Sequence, residues 1–205
     1  MLKVKLCGIT KPEDIEAVNI IKPDYIGFVF AKSRRQINRD RAARLKNSLN
    51  PDIKTVGVFV NADIDEIISL CKAGIIDIIQ LHGDEGNRYI NSLRKQIDNK
   101  IIKAVRVKSE KDIIKANKIN CDYLLLDAFD KNNYGGSGKA FDWTKIPDDI
   151  GPYFLAGGIN KDNIIDAVQK YHPYSVDISS GIETDGVKDS RKMYEIMQIV
   201  RSIAN

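Results

Sequence analysis

Tyr153-Phe154-Leu155-Ala156-Gly157-Gly158 and Val176-Asp177-Ile178-Ser179-Ser180-Gly181 decide how this chain is read. The first is a short apolar run, the second sets Val176 and Ile178 on either side of one carboxylate, and each ends in glycine. Between them Ile164, Ala167, Val168 and Tyr171 recur at the i, i+3, i+4, i+7 spacing of a helix with one buried face. Strand, helix, strand, with the strands mostly apolar on both faces, is the pattern of a buried parallel sheet.

The same unit repeats outward to the N-terminus. Strands are expected at 4–7, 25–30, 55–60, 76–81, 101–105, 123–127, 153–156 and 176–179, mostly rich in Val, Ile and Leu. Ile64, Ile67, Ile68 and Cys71 form one further core stripe, and Met193, Ile196, Met197 and Val200 another. Start signals agree with the period: Thr10 with Glu13 and Asp63 with Glu66 read as capping boxes, Ser109 with Asp112 caps a third helix, and Asn160 caps a fourth. After Asp142-Trp143 only a short helix, roughly 144–146, fits before Pro147.

Eight such units in 205 residues leave about 26 residues each, near the minimum for a strand, a crossover helix and two turns. A doubly wound sheet would gather its functional residues at one switch point, whereas a closed barrel spreads them over many strand ends. Here Cys7-Gly8, Lys32-Ser33-Arg34-Arg35, Gln80-Leu81-His82-Gly83, Asp127, Gly157-Gly158 and Ser179-Ser180-Gly181 each follow or close a different strand. The expected architecture is one single-domain (β/α)8 TIM barrel spanning 1–205, with these ends as its functional face.

Composition narrows the function classes. With 32 basic and 28 acidic side chains the net charge is +4, spread along the chain, which gives no polyanion-binding face and no nucleic-acid partner. Three cysteines without C-x-x-C spacing suggest neither a disulfide framework nor a thiolate zinc site, and fit a reducing cytoplasm. His82 and His172 lie far apart with no ligand-spaced partner, so no metal is expected. Neither a signal-peptide core nor an apolar run of roughly 18 residues is present, so no membrane association is expected.

Among the candidate site residues, Gly157, Gly158, Ser180 and Gly181 read as a phosphate site, because glycine turns let backbone N–H groups reach an anion. Gly135-Gly136-Ser137-Gly138-Lys139 lacks the first glycine and the Ser/Thr of a P-loop, since Asn133 and Ala140 occupy those positions. It reads instead as a lid over the barrel mouth, anchored by Phe141 and Trp143. Cys7 stands before a helix N-terminus whose dipole would lower a thiol pKa; the bland alternative is a small buried hydrophobe. Asp127 ends an apolar strand, where a carboxylate is costly unless bonded or protonated. Arg35 could hold a carboxylate in its planar fork, or simply be a solvated loop cation.

The motifs Lys5-Leu6-Cys7-Gly8-Ile9-Thr10, Gln80-Leu81-His82-Gly83-Asp84, Leu125-Leu126-Asp127, Tyr134 to Trp143, Ala156-Gly157-Gly158-Ile159 and Val176 to Glu183 together resemble the phosphoribosylanthranilate isomerase family of tryptophan biosynthesis, almost end to end. The resemblance implies a cofactor-free Amadori rearrangement of N-(5-phosphoribosyl)anthranilate. Asp127 would be the general acid that opens the ribose ring and Cys7 the general base at C2. Arg35 would pair with the anthranilate carboxylate, and the last two glycine turns would hold the phosphate. An ordinary carboxylic acid is largely ionised at neutral pH, so the acid role requires burial or substrate charge to keep Asp127 protonated in the complex.

The loop after strand two departs from the family's usual Phe-x-Pro-Lys-Ser-x-Arg. Phe30-Ala31-Lys32-Ser33-Arg34-Arg35 lacks the proline and is one residue shorter. Arg35 keeps the spacing from Ser33; Arg34 is the alternative. The implied partner is a small phosphorylated, carboxylated substrate, and the family's barrels occur as monomers or homodimers. Two other phosphate-binding readings stand beside this one: the sister aminoaldose isomerase of histidine biosynthesis, disfavoured by Asn61-Ala62 where a second phosphate needs glycines, and a non-catalytic phosphometabolite-binding barrel, which has no need of both Cys7 and Asp127.

Overall fold

The computed structural model describes residues 2–128 and 141–203. Its strands are β1 (Lys3–Cys7), β2 (Tyr25–Val29), β3 (Lys54–Phe59), β4 (Ile78–Leu81), β5 (Lys100–Val107), β6 (Tyr123–Ala128), β7 (Tyr153–Leu155) and β8 (Ser175–Ile178). They pair in parallel in chain order, and β8 returns to β1 to close a barrel. Around it lie α1 (Pro12–Ile21), α2 (Arg39–Asn47), α3 (Ile64–Lys72), α4 (Asn87–Arg94), α5 (Glu110–Ala116), α6 (Ile164–Tyr171) and α7 (Ser190–Ile203). A single 3-10 turn, Trp143–Lys145, stands where the short helix before Pro147 was expected.

Strand alternation sorts the side chains into two cores. Val4, Leu6, Ile26, Phe28, Ile79 and Leu81 point outward and meet the helix stripes predicted above, Ile67 of α3, Ile164 of α6 and Met193 of α7 among them. Tyr25, Val56, Ile78, Ile102, Leu125 and Phe154 point inward and fill the barrel. The next inward positions toward the C-terminal ends of β1, β4, β6 and β8 are Cys7, Gln80, Asp127 and Asp177, which reach one cavity.

At the opposite end the strands begin on a repeated device. Asp24, Asp77 and Asp122 each immediately precede one of the even strands β2, β4 and β6. Their carboxylates accept from the backbone N–H of Val4 (2.9 Å), Thr55 (2.7 Å) and Ile101 (2.8 Å) in the neighbouring odd strands. Each also pairs with its own cation, Lys3, Lys46 and Arg94, at 2.7–2.8 Å.

Several element ends differ from the sequence reading. β4 begins at Ile78, because Asp77 is turned toward Thr55 and Ile75 donates back to the Leu70 carbonyl, leaving Ile76 in the approach to the strand. The box before α1 sits one residue later than Thr10 and Glu13: Asp14 accepts from the N–H groups of Thr10 and Lys11, both at 2.9 Å. Pro12 opens that helix, so Asp14, not Glu13, holds its third position. Asp63 caps α3, but by accepting from Asp65 N–H at 2.8 Å rather than in a box with Glu66. Asn160 caps the turn before α6, accepting from Asp162 N–H, while Asn163 takes the cap position itself. The stretch 135–139 read as a lid lies outside the described residues; Phe141 and Trp143 beside it pack against the core.

Candidate active site

A cavity of about 720 Å³ opens at the C-terminal ends of the strands, and Cys7, Arg35, Asp127, Gly157, Gly158 and Ser180 are in its wall. Gly181 stands just behind that wall, where a side chain would collide with the Ile159 carbonyl. The structure therefore brings together the residues that the sequence distributed over 175 positions, and shows what each touches.

Cys7 ends β1 on its inward face, against Gly27 of β2. A Cβ at position 27 would sit 2.6 Å from Sγ, so glycine makes the space the thiol occupies. The thiol is not activated by its position as the helix-dipole argument expected. Burial pushes its pKa up, and the ammonium groups of Lys5 and Lys188 only partly offset this. Lys5, the preceding inward residue, is wholly buried and bonded to Asp177 of β8 at 2.8 Å. Burial opposes its charge, yet Asp177 and Cys7 outweigh burial and hold Lys5 above the ordinary lysine value.

Asp127 is buried on β6. Its Oδ1 accepts from Ala128 N–H at 2.8 Å, and a Cβ on Gly157 would come within 3.0 Å of the same oxygen. Gly157, at φ +75°, is thus confined to glycine both by its backbone and by its approach to Asp127. His82 Nε2 lies 3.2 Å from Asp127 Oδ2, off the line of a hydrogen bond, and the Nδ1 of the ring is 2.8 Å from Gln80 Nε2. A Gln80 amide that donates to Nδ1 requires the tautomer with its proton on Nε2.

The glycine turn after β7 is braced from below: the Gly158 carbonyl accepts from Asn160 Nδ2 (3.1 Å) and Asn163 Nδ2 (2.9 Å). This aims the N–H on the other side of that peptide, that of Ile159, away from the asparagines. After β8, Ser179 Oγ donates to the Cys7 carbonyl at 3.2 Å, tying the second turn to β1.

Arg35 is not a solvated loop cation. Its Nε and Nη2 donate to Glu183 Oε1 and Oε2 at 2.7 and 2.9 Å, and its stem crosses Gly8, where a Cβ would lie 2.5 Å from Cδ. Arg34 and Lys188 also donate to Glu183, at 2.6 and 2.7 Å. Burial alone would raise the Glu183 carboxyl, but Arg35 and Lys188 hold it below its usual value. Sequence gives Lys5, Asp177, Glu183 and Lys188 no role in the site, and places His82 on the functional face without a role. The signal available was strand parity: Lys5 with Cys7, Gln80 with His82, and Asp177 with Ser179 are each two apart and share an inward face.

Among the described residues no group of three or more His, Cys, Asp or Glu side chains could hold a metal ion, and no helix is long and apolar enough to cross a membrane.

A closed (β/α)8 barrel that gathers a thiol, a carboxyl, glycine turns and guanidinium groups at the C-terminal ends of its strands has the layout of a barrel enzyme. A family model for N-(5'phosphoribosyl)anthranilate (PRA) isomerase matches residues 4–199. The chain belongs to the N-(5'-phosphoribosyl)anthranilate isomerase family. It is 48% identical over 203 residues to the N-(5'-phosphoribosyl)anthranilate isomerase of Endomicrobium trichonymphae, covering 99% of this chain and 100% of that one. Its fold matches the crystal structure of phosphoribosyl anthranilate isomerase from Thermotoga maritima with a TM-score of 0.89 at 34% identity, covering 98% of this chain and 100% of that chain. A phosphoribosyl anthranilate isomerase in complex with reduced 1-(o-carboxyphenylamino)-1-deoxyribulose 5-phosphate matches with a TM-score of 0.82 at 31% identity, over 98% of this chain and 100% of that one.

Proposed function

We propose that this chain is an isomerase of tryptophan biosynthesis that converts N-(5'-phosphoribosyl)anthranilate to 1-(2-carboxyphenylamino)-1-deoxyribulose 5-phosphate, with Asp127 as general acid and Cys7 as general base. Family membership supports the reaction, and the observation that carries the assignment of roles is the placement of Cys7 and Asp127 in the wall of one cavity beside the Gly157-Gly158 turn.

Asp127 gives its proton to the ribose ring oxygen as the C1–O bond breaks, and the anthranilate nitrogen lone pair forms the C=N bond of a cationic Schiff base. The Cys7 thiol first releases its proton to solvent, and the thiolate then removes the proton from C2. The C–H electron pair forms the C1=C2 bond as the C=N pair returns to nitrogen, giving a neutral enolamine, which takes a proton at C1 and loses the C2 hydroxyl proton to become the ketone. Oxidation at C2 is balanced by reduction at C1 within one molecule, so no co-reactant is consumed. Gly157, Gly158, Ser180 and Gly181 take the phosphate. Arg35, with Arg34 as the alternative, takes the carboxylate.

Burial of both groups has a purpose here. A thiol raised by its surroundings and freed of its proton is the stronger base, and the cationic Schiff base formed by ring opening attracts that thiolate and acidifies C2 in a site where charge is poorly screened. Cytoplasmic action, as a monomer or homodimer on a small phosphorylated, carboxylated substrate, completes the proposal.

The test is to follow the fluorescence of N-(5'-phosphoribosyl)anthranilate after adding purified protein. Wild type should accelerate its loss, and Cys7→Ala and Asp127→Asn should each lower kcat by about 10²–10⁴-fold with the fold intact by circular dichroism. No acceleration by folded wild type would sink the reaction; full activity in either variant would sink that residue's role.

A further inference from the structure

We infer that Glu183 is a positioning residue for substrate recognition: an internal carboxylate that presents Arg35 and Arg34 to the substrate's carboxylate without giving them up, and fixes them relative to the phosphate turn. The inference rests on the proposed reaction and on Arg35 or Arg34 as receptor of the carboxylate.

Glu183 opens a short antiparallel hairpin, β9 (Glu183–Thr184) and β10 (Val187–Lys188), that follows the 3-10 turn Ser180–Ile182 directly. The connection Asp185-Gly186 has φ of 51° and 78°, the two positive values of a tight two-residue hairpin turn. Arg34 lies across it, its Nη1 2.5 Å from where a Cβ of Gly186 would be. Pairing of Lys188 with Glu183 in the hairpin sets both side chains behind Arg34 and Arg35, which line the cavity.

Donor and acceptor counting separates a scaffold from a competitor. An ionised carboxylate offers about four lone-pair sites. Glu183 Oε1 takes Arg35 Nε and Lys188 Nζ, and Oε2 takes Arg34 Nη2 and Arg35 Nη2, so all four are used. A guanidinium has five N–H donors. Glu183 takes two from Arg35, leaving three on the Nη1/Nη2 edge. Three cations around one anion leave the cluster with excess positive charge, so a second carboxylate can bind without displacing the first. Lys188 also donates to the Ser179 carbonyl at 2.8 Å, locking the hairpin to the turn after β8. One side chain thereby sets the separation between the receptor for the carboxylate and the receptor for the phosphate, which lie at opposite ends of the substrate.

The opposite role predicts the opposite sign. If Glu183 were a stand-in that substrate must evict from Arg35, removing its charge would improve binding. The experiment compares Glu183→Gln with wild type on N-(5'-phosphoribosyl)anthranilate and on the N-(5'-phosphoribosyl)aniline analogue that lacks the carboxylate. Glu183→Gln should raise KM for the carboxylated substrate about 10–100-fold, with kcat changing far less and KM for the aniline analogue nearly constant. Glu183→Asp, which keeps the charge, should recover part of the loss. Should Glu183→Gln fail to fold, Lys188→Met, which frees the hairpin but leaves both arginine pairs, should show a smaller rise in KM with the same selectivity for the carboxylate. A lowered KM, or an equal loss on both substrates in a folded variant, would overturn the inference. Inactive wild type would instead overturn the proposed reaction.

Discussion

At the N-terminal end of the barrel, Asp24, Asp77 and Asp122 stand apart around the rim, each about 30% exposed and each with one cation and one strand N–H. At the C-terminal end, Asp127, Asp177 and Glu183 are less than 10% exposed; Asp127 and Asp177 line one cavity with His82, Arg34 and Arg35, and Glu183, Lys5 and Lys188 pair with residues of that wall from behind it. The first arrangement costs little and stabilises locally: a half-solvated ion pair contributes about 0–1 kcal/mol, and its carboxylate also starts a strand. The second carries a desolvation cost for each charge it buries and is held together because the charges answer one another. The same side-chain chemistry therefore serves register at one end and reactivity at the other, and the difference lies in water.

Breaking one pair at the functional end should expose that cost most clearly. Asp177→Ala leaves the Lys5 ammonium with no exposed surface and without its 2.8 Å partner. The expected loss is about 3–5 kcal/mol of unfolding free energy, read from urea unfolding at neutral pH. Replacing both partners, Lys5→Met with Asp177→Leu, should restore most of it, since two apolar groups leave no charge stranded. A loss below about 1 kcal/mol in Asp177→Ala would put this pair in the same class as those at the opposite rim and remove the distinction.

A smaller effect tests whether the functional end is also packed to fixed geometry. Gly27→Ala places a methyl 2.6 Å from Cys7 Sγ and 3.1 Å from its Cα, so either the thiol turns away or the strands part. Stability should fall by about 1–3 kcal/mol, and kcat by about 10–100-fold, because a displacement near 1 Å is enough to lose that much. Unchanged kcat would mean that the thiol's placement tolerates movement, and would weaken its assignment as the base.

How much of this was legible in the sequence follows from the range over which each feature is encoded. The strands could be read because residues buried on both faces give unbroken apolar runs. Cys7, Asp127, Gly157 and Ser180 could be read because a strand end is visible locally. Lys5 could not: it alternates with Lys3 and looks like the polar face of an amphipathic strand, and its partner Asp177 is 172 residues away. The pairing of Arg35 with Glu183, 148 residues apart, likewise exists only once β2 and β8 meet on β1. Gly27 shows no reason for being glycine until Cys7 is seen against it. Cys7 ends its strand in the cavity wall, but where the helix-dipole argument expects a lowered thiol pKa, burial raises it.

The smallest predicted effect lies at the N-terminal rim, where the sign of its pH dependence can be worked out. Burial acts to raise the Asp77 carboxyl, but hydrogen bonds from Lys46 and from the Thr55 backbone and hydroxyl outweigh burial and hold it below the ordinary aspartate value. A carboxyl depressed in the folded state stabilises the fold fully above its unfolded pKa of about 3.9, and loses that contribution as pH falls through the lower folded value. Asp77→Asn keeps the shape and one acceptor but removes the charge. It should cost about 1 kcal/mol at pH 7, and the gap from wild type should stay constant down to about pH 5, then close at more acid pH. Denaturant unfolding of the two proteins across that range reads it directly. A gap that persisted below the folded pKa would assign the stabilisation to neutral hydrogen bonding, and a gap as large as that of Asp177→Ala would mean that this rim, too, depends on charges sealed from water.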